Sequence, residues 1–200
     1  MARIAFVDVD TQFDFMNPKG SLYVSGAVDI IPNLKKLMGA AQKYRIPIVG
    51  SVDAHTPDDP EFEKFPPHCV KGSSGAKKIP ETTLTGMKII SMDAPAEDVD
   101  LSPPGPVILE KKVYGMFDNL HAEAAIRATG ANRFAVFGVA TDYCVAAAAR
   151  GLLERGYTVL LVTDAIRAVD ASGGEKAIQE LSGKGARLVT TQDVLSEAVG

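Results

Sequence analysis

Short apolar runs alternate with stretches of helical periodicity along most of the chain. Residues 4–9 form a near-continuous apolar run that ends in Asp10, the pattern of a strand buried on both faces. Runs at 46–52, 107–109, 134–139 and 157–162 read as further strands, and 187–189 as a short sixth. Ile30, Leu34 and Leu37 recur at helical spacing, and other helical stretches fit at about 118–129, 141–155 and 174–183. This alternation predicts an α/β fold of three layers, with helices on both faces of a central, mostly parallel six-stranded sheet. In such sheets the chemistry sits at the carboxyl ends of the strands.

Composition narrows the function classes. With 200 residues, 46% hydrophobic and 23% charged, the chain is expected to form one globular domain over 1–200. No apolar run reaches the roughly 20 residues of a membrane span, and the N-terminus turns acidic too soon for a signal peptide. The net charge of −4, without a Lys/Arg stripe, argues against nucleic acid or a membrane as a partner. Two cysteines, Cys69 and Cys144, are too few for a disulfide scaffold, so a reducing, cytoplasmic setting is expected. The least regular part, about 56–105, contains the breaker Pro103-Pro104-Gly105-Pro106. A loop of that length in a compact domain is usually functional.

The strand ends carry polar residues suited to catalysis. Asp10 opens Asp10-Thr11-Gln12-Phe13-Asp14-Phe15, where a carboxylate acts as a general base or merely as a turn residue. The run at 134–139 leads into Ala140-Thr141-Asp142-Tyr143-Cys144-Val145, with Thr141 a natural N-cap and Cys144 in the first helical turn. A helix N-terminus favours a thiolate. Moving a thiol from ~8.5 to ~6 takes ~3.4 kcal/mol, whereas a helix end supplies ~1–2 kcal/mol. A nearby cation must contribute the rest, or Cys144 is an ordinary buried thiol. Lys111 and Lys112 end the run at 107–109 and point to opposite sides, so at most one faces the site.

Asp53 and His55 are two apart and share one face of an extended chain, and His68 follows on the loop Phe65-Pro66-Pro67-His68-Cys69. One carboxylate and two imidazoles form an oxygen/nitrogen set for a divalent metal, or else a turn Asp with surface histidines. His121 is expected on a helix surface. Gly72-Ser73-Ser74-Gly75-Ala76-Lys77-Lys78 is rich in Gly and Lys but lacks phosphate-loop spacing.

Together these residues resemble the cysteine hydrolases of the isochorismatase-like superfamily, most closely its nicotinamidases and pyrazinamidases. The likeness spans nearly the whole chain. It is carried by Asp10-Thr11-Gln12-Phe13-Asp14-Phe15, by Ser21 to Ala27 with Ile31-Pro32, and by Asp53-Ala54-His55. Phe65 to Gly72 and Gly138 to Val145 complete it. The resemblance implies an amidohydrolase that converts nicotinamide to nicotinate and ammonia through a thioester. It casts Cys144 as nucleophile, Asp10 as general base and acid, and Lys111 as the triad lysine. It further implies a cis Val139–Ala140 peptide and an oxyanion hole from the amides of Ala140 and Cys144. The metal ligands would be Asp53, His55 and His68, with Glu61 as a fourth, and the metal zinc, with iron or manganese as alternatives. Phe15, Phe65, Tyr114 and Val139 would line the ring pocket. A homo-oligomer with a place in NAD salvage is also implied. Ala54 and Phe65 replace aromatic residues usual in nicotinamidases, and the segment around Lys111 is short. These departures motivate an alternative, a related cysteine amidase acting on another small amide or an N-carbamoyl compound.

Overall fold

Unbroken burial over six residues makes Ile4–Val9 (β1) the centre of the sheet. A computed structural model describes residues 3–101 and 105–199; Met1, Ala2 and the expected breaker residues Pro103 and Pro104 lie outside them. On one side of β1 lies Ile48–Asp53 (β2), followed by Val107–Lys111 (β4) and the edge strand Lys88–Ile90 (β3). On the other lie Arg133–Val139 (β5), Thr158–Arg167 (β6) and Arg187–Val189 (β7). All neighbouring pairs are parallel.

The sheet thus has seven strands where six were expected. β3 is only three residues long, is partly exposed and lies within an irregular segment, so its apolar pattern is weak. β6 runs on to Arg167, past the expected end at 162. The polar Thr163-Asp164 interrupts the apolar run without ending the strand. A register irregularity against β5 falls there, and Asp164 accepts hydrogen bonds from Thr191 and Asn33.

The helices are Phe13–Met16 (α1), Ile31–Tyr44 (α2), Ala122–Ala128 (α3), Ala146–Glu154 (α4), Ala171–Gly183 (α5) and Thr191–Val199 (α6). From β1 the chain winds one way through α2 to β2, and from β5 the other way through α4 to β6. Right-handed crossovers in opposite directions place the connecting helices on opposite faces. Accordingly α2 packs against α6, and α4 against α5. The core fills both interlayer spaces, with Phe6 and Phe137 edge to face at 5.8 Å between β1 and β5.

Winding reverses between β1 and β5, where a doubly wound sheet opens its crevice. Gly138 sits there at φ +117°, and a Cβ on it would lie 2.0 Å from the Val9 carbonyl oxygen. Only glycine lets the strands approach this closely at their carboxyl ends. Among the described residues, no helix is long and apolar enough to cross a membrane.

Candidate active site

The carboxyl ends of β1, β2, β4 and β5 deliver the principal groups. Asp10 follows β1 in a left-handed backbone conformation (φ 48°). Asp53 and Lys111 close β2 and β4 and are register partners across that pair. Cys144 lies in the turn after β5. The Lys111 ammonium, fully buried, is 2.8 Å from Asp10 Oδ2 and 3.4 Å from Cys144 Sγ, and it hydrogen-bonds to Asp53 Oδ1. Ser51 donates to Asp10 Oδ1 at 2.7 Å. One oxygen each of Asp10 and Asp53 and the thiol of Cys144 fall within 4.8 Å of one another. Lys112 stands outside this cluster, half-buried, as alternation along an extended chain requires.

The Val139–Ala140 peptide is cis, as expected. The turn that carries Cys144 otherwise differs from the expectation: Thr141–Val145 forms a π-helical turn that runs directly into α4. Thr141 is buried and makes no capping hydrogen bond. Asp142 instead ties the turn down by accepting from the amides of Val169 and Asp170, each at 3.0 Å.

The electrostatics bear on the charge of the thiol, which the sequence left open. Burial pushes the Cys144 thiol up; Lys111 opposes this, but Asp10 and Asp53 reinforce it, so these surroundings favour the protonated thiol. Burial likewise raises the Asp10 carboxyl, despite Lys111. For Asp53 the outcome reverses: burial raises it, but Lys111 and His55 together hold it low. Lys111 is disfavoured by burial, yet the facing Asp10 and Asp53 keep it charged.

Asp53 divides its carboxylate. Oδ1 meets Lys111, and Oδ2 lies 3.8 Å from His55 Nε2 and 4.0 Å from His68 Nε2. His68 Nδ1 is 2.8 Å from the Pro66 carbonyl; as donor there it leaves the Nε2 lone pair free. His55 is fully buried; its Nε2 has no hydrogen-bond partner, and its Nδ1, although 3.1 Å from Asp59 Oδ2, makes no hydrogen bond of good geometry. A buried imidazole with one unpaired nitrogen and a carboxylate behind the other is the arrangement of a metal-ligating histidine. Asp53, His55 and His68 therefore fit a divalent metal. Glu61 lies on the pocket wall and groups with His55 and Asp59, apart from that trio.

Gln12 organises the rim. Where β1 leaves the sheet, its side-chain amide takes over: it donates to the Asp53 carbonyl (2.8 Å) and accepts from the Asp53 amide (2.7 Å). It also donates to Ala76 at 2.8 Å. Asp14 accepts from the amides of Cys69 and Ser21, and Gly75 packs against it so closely that a Cβ would come within 2.0 Å. Cys69 is thus a buried loop thiol, fixed by its backbone beside His68. His121, expected on a helix surface, instead docks its ring on the Ala94 carbonyl at 2.8 Å.

A pocket opens above Cys144. Phe15, Phe65, Tyr114 and Val139 line it as expected, joined by Tyr143 and Val169. Among the described residues no Lys or Arg lines it, whereas Asp10, Asp53 and Glu61 do. Sequence reasoning missed Ser51, Asp59, Asp142, Tyr143 and Val169. Ser51 had a signal, lying two residues before Asp53 on the same strand face; Val169 and Asp59 had none.

Comparison with known proteins agrees with this layout. The Isochorismatase domain family model matches residues 4–91 and 91–193. The Mycobacterium tuberculosis nicotinamidase/pyrazinamidase is 24% identical over 197 residues, covering 92% of this chain and 97% of that protein. The Pyrococcus horikoshii pyrazinamidase, solved in complex with zinc, superposes with a TM-score of 0.77 at 29% identity, covering 94% and 99% of the two chains. The Thermoplasma acidophilum N-carbamoylsarcosine amidase gives 0.75 at 25% identity, covering 94% and 96%.

Proposed function

We propose, for a chain that belongs to the isochorismatase domain family, that it hydrolyses nicotinamide to nicotinate and ammonia through a thioester on Cys144. The chain is an amide-hydrolysing cysteine hydrolase. The observation that carries the proposed reaction is the buried cluster of Asp10, Lys111 and Cys144 at the floor of an aromatic pocket, beside the Asp53–His55–His68 trio.

In the first half-reaction Asp10 takes the thiol proton and the Cys144 sulfur attacks the amide carbonyl. Lys111 remains protonated and offsets the charge passed between sulfur and carboxylate. The amides of Ala140 and Cys144 serve as donors to the oxyanion, each worth ~10²-fold or more in rate. Asp10 then returns its proton to the departing nitrogen, and ammonia leaves. In the second half-reaction Asp10 deprotonates a water that attacks the thioester, giving the acid and the restored thiol. Asp53, His55 and His68 would hold a divalent metal, zinc by donor type with iron or manganese as alternatives. Its chemistry there would be to anchor a ring nitrogen of the substrate.

The pocket also separates the two candidate substrate classes. N-carbamoyl amino acids carry a carboxylate, which needs a cation. The Lys111 ammonium at the pocket floor is already engaged by Asp10 and Asp53, and among the described residues no other Lys or Arg side chain lines the pocket, so a carboxylate would enter without a free cationic side chain to offset its desolvation. A neutral ring amide meets Phe15, Phe65, Tyr114 and Tyr143 without that penalty. Ammonia release from nicotinamide and from N-carbamoylsarcosine tests this, with nicotinamide expected to be at least ~100-fold better in kcat/KM. Cys144→Ala should remove at least ~10⁴-fold of the activity. Preference for the N-carbamoyl compound, or a fully active Cys144→Ala, defeats the proposal.

A further inference from the structure

A second buried Asp–Lys pair lies behind the turn that carries Asp10. Asp8 is fully buried, and the side chain of Lys78 is 2% exposed. Lys78 Nζ lies 2.9 Å from Asp8 Oδ2 and donates to Thr11 Oγ1 at 2.7 Å. Thr11 Oγ1 donates to Asp8 Oδ1 at 2.9 Å, and the Thr82 hydroxyl reaches it at 2.7 Å. Asp8 as a carboxylate only accepts, so the Thr11 proton points to it, and both lone pairs of Thr11 are used by Lys78 and Thr82. Thr11 is fully buried and its hydroxyl is saturated.

The cluster is more than core packing would require. Lys78 belongs to the Gly- and Lys-rich stretch that has no phosphate-loop spacing, and the catalytic scheme does not use it. Its segment is strapped to the start of the site: Phe13 N donates to Lys77 O at 2.8 Å, Ile79 N donates to Thr11 O at 3.0 Å, and Gln12 bridges Lys78. Between β1 and this strap stands Asp10, held at φ 48°, a conformation that an ordinary residue keeps only when its surroundings over-determine it.

We propose that Asp8, Lys78 and Thr11 form a positioning device for Asp10. Residues on both sides of Asp10 are held by one buried network of an ion pair and hydrogen bonds, so the carboxylate meets the thiol at a fixed distance. The inference rests on Asp10 being the base. It assigns none of these three residues contact with substrate. Loss of the device therefore lowers kcat and leaves KM nearly unchanged.

Thr11→Val keeps the volume and the Asp8–Lys78 pair but deletes the hydroxyl. Ammonia release from nicotinamide should show kcat reduced ~10–100-fold, the scale of a sub-ångström to 1 Å misplacement, with KM within about threefold. Lys78→Met leaves Asp8 buried and unpaired and should also lower the melting temperature. Breaking one partner of a buried pair destabilises, whereas replacing both with apolar groups is often neutral. Asp8→Leu/Lys78→Met should therefore recover the melting temperature while kcat stays at least ~10-fold low. Lys78→Arg, which keeps a donor to both partners, should stay closer to the parent kcat than Lys78→Met.

Two outcomes overturn the inference alone: a parental kcat in Thr11→Val, or recovery of kcat along with melting temperature in the double variant. Asp10→Asn run in parallel separates these from failure of the underlying reading. An inactive Asp10→Asn leaves Asp10 as base, whereas an active one removes that assignment and the inference with it.

Discussion

Gln12→Ala deletes a fully buried side chain and three hydrogen bonds of 2.7–2.8 Å. The Asp53 amide, the Asp53 carbonyl and the Ala76 carbonyl lose this partner together. A satisfied bond contributes about 1 kcal/mol net, and a buried backbone group left unpaired costs about 1–3 kcal/mol. Water entering the vacated space recovers part of this, which places the total at about 3–5 kcal/mol. That is a large share of the ~5–15 kcal/mol by which a domain is stable. For a chain of this length it corresponds to a melting temperature lower by ~10 °C. Asp53 is the last residue of β2 and itself one of the metal trio, so kcat/KM should fall ~10²-fold as well. Gln12→Glu is nearly isosteric but offers acceptors to two carbonyls, so it should lose almost as much stability as the alanine variant. Urea unfolding followed by circular dichroism gives the free energies. A loss below ~1 kcal/mol in Gln12→Ala would refute the idea that this amide continues the sheet where β1 ends.

Other expectations follow from the same geometry. Asp59→Asn weakens the carboxylate behind His55 and should lower metal affinity ~10–100-fold in a chelator competition; unchanged affinity would count against a ligating His55. Lys111→Met strands two buried carboxylates and should cost ~3–5 kcal/mol in urea unfolding, together with at least ~10³-fold in kcat. A parental stability would mean that the pair is not buried in solution. Arg150 and then Lys184 hold the Glu180 carboxyl at about 2 instead of 4.5. Its contribution is therefore complete above 4.5 and is lost as pH falls through about 2, so the urea midpoints of wild type and Glu180→Gln should differ at pH 7 and draw together as pH falls from 4.5 to about 2. A gap that widened on acidification would contradict the assignment.

The parts of the fold and site legible in the sequence share one property: each follows directly from a run of neighbouring residues. The apolar run of β1 ends in Asp10, that of β4 in Lys111, and that of β5 in the turn with Cys144, so their convergence follows once the strands are parallel. What escaped was set by residues distant in sequence. β3 exists because Ile89 and its neighbours pair with β4, not because three residues prefer to be extended. Asp59 reaches His55 through a loop turn, and Val169 reaches the pocket because Asp142 draws its amide in. Lys78, in a glycine-rich stretch that lacks phosphate-loop spacing, acquires meaning only when Asp8 and Thr11 are seen around it.

At the thiol, local reasoning left two states open, and the folded surroundings favour one of them. A cysteine in the first turn of a helix invites a thiolate, because the helix end is electropositive over that turn. At Cys144 the same folding step that supplies the turn also buries the sulfur and brings Asp10 and Asp53 beside it. Desolvation and two carboxylates raise the thiol, and one ammonium, already shared between those carboxylates, does not offset them. A site built this way gains its nucleophile only as the proton moves. Burial raises the Asp10 carboxyl as well, which makes it a stronger proton acceptor than a solvated carboxylate. The separation of Asp10 and Cys144 then governs the rate more than the standing charge of either, which is why a rigid support behind Asp10 matters to the chemistry and not only to the fold.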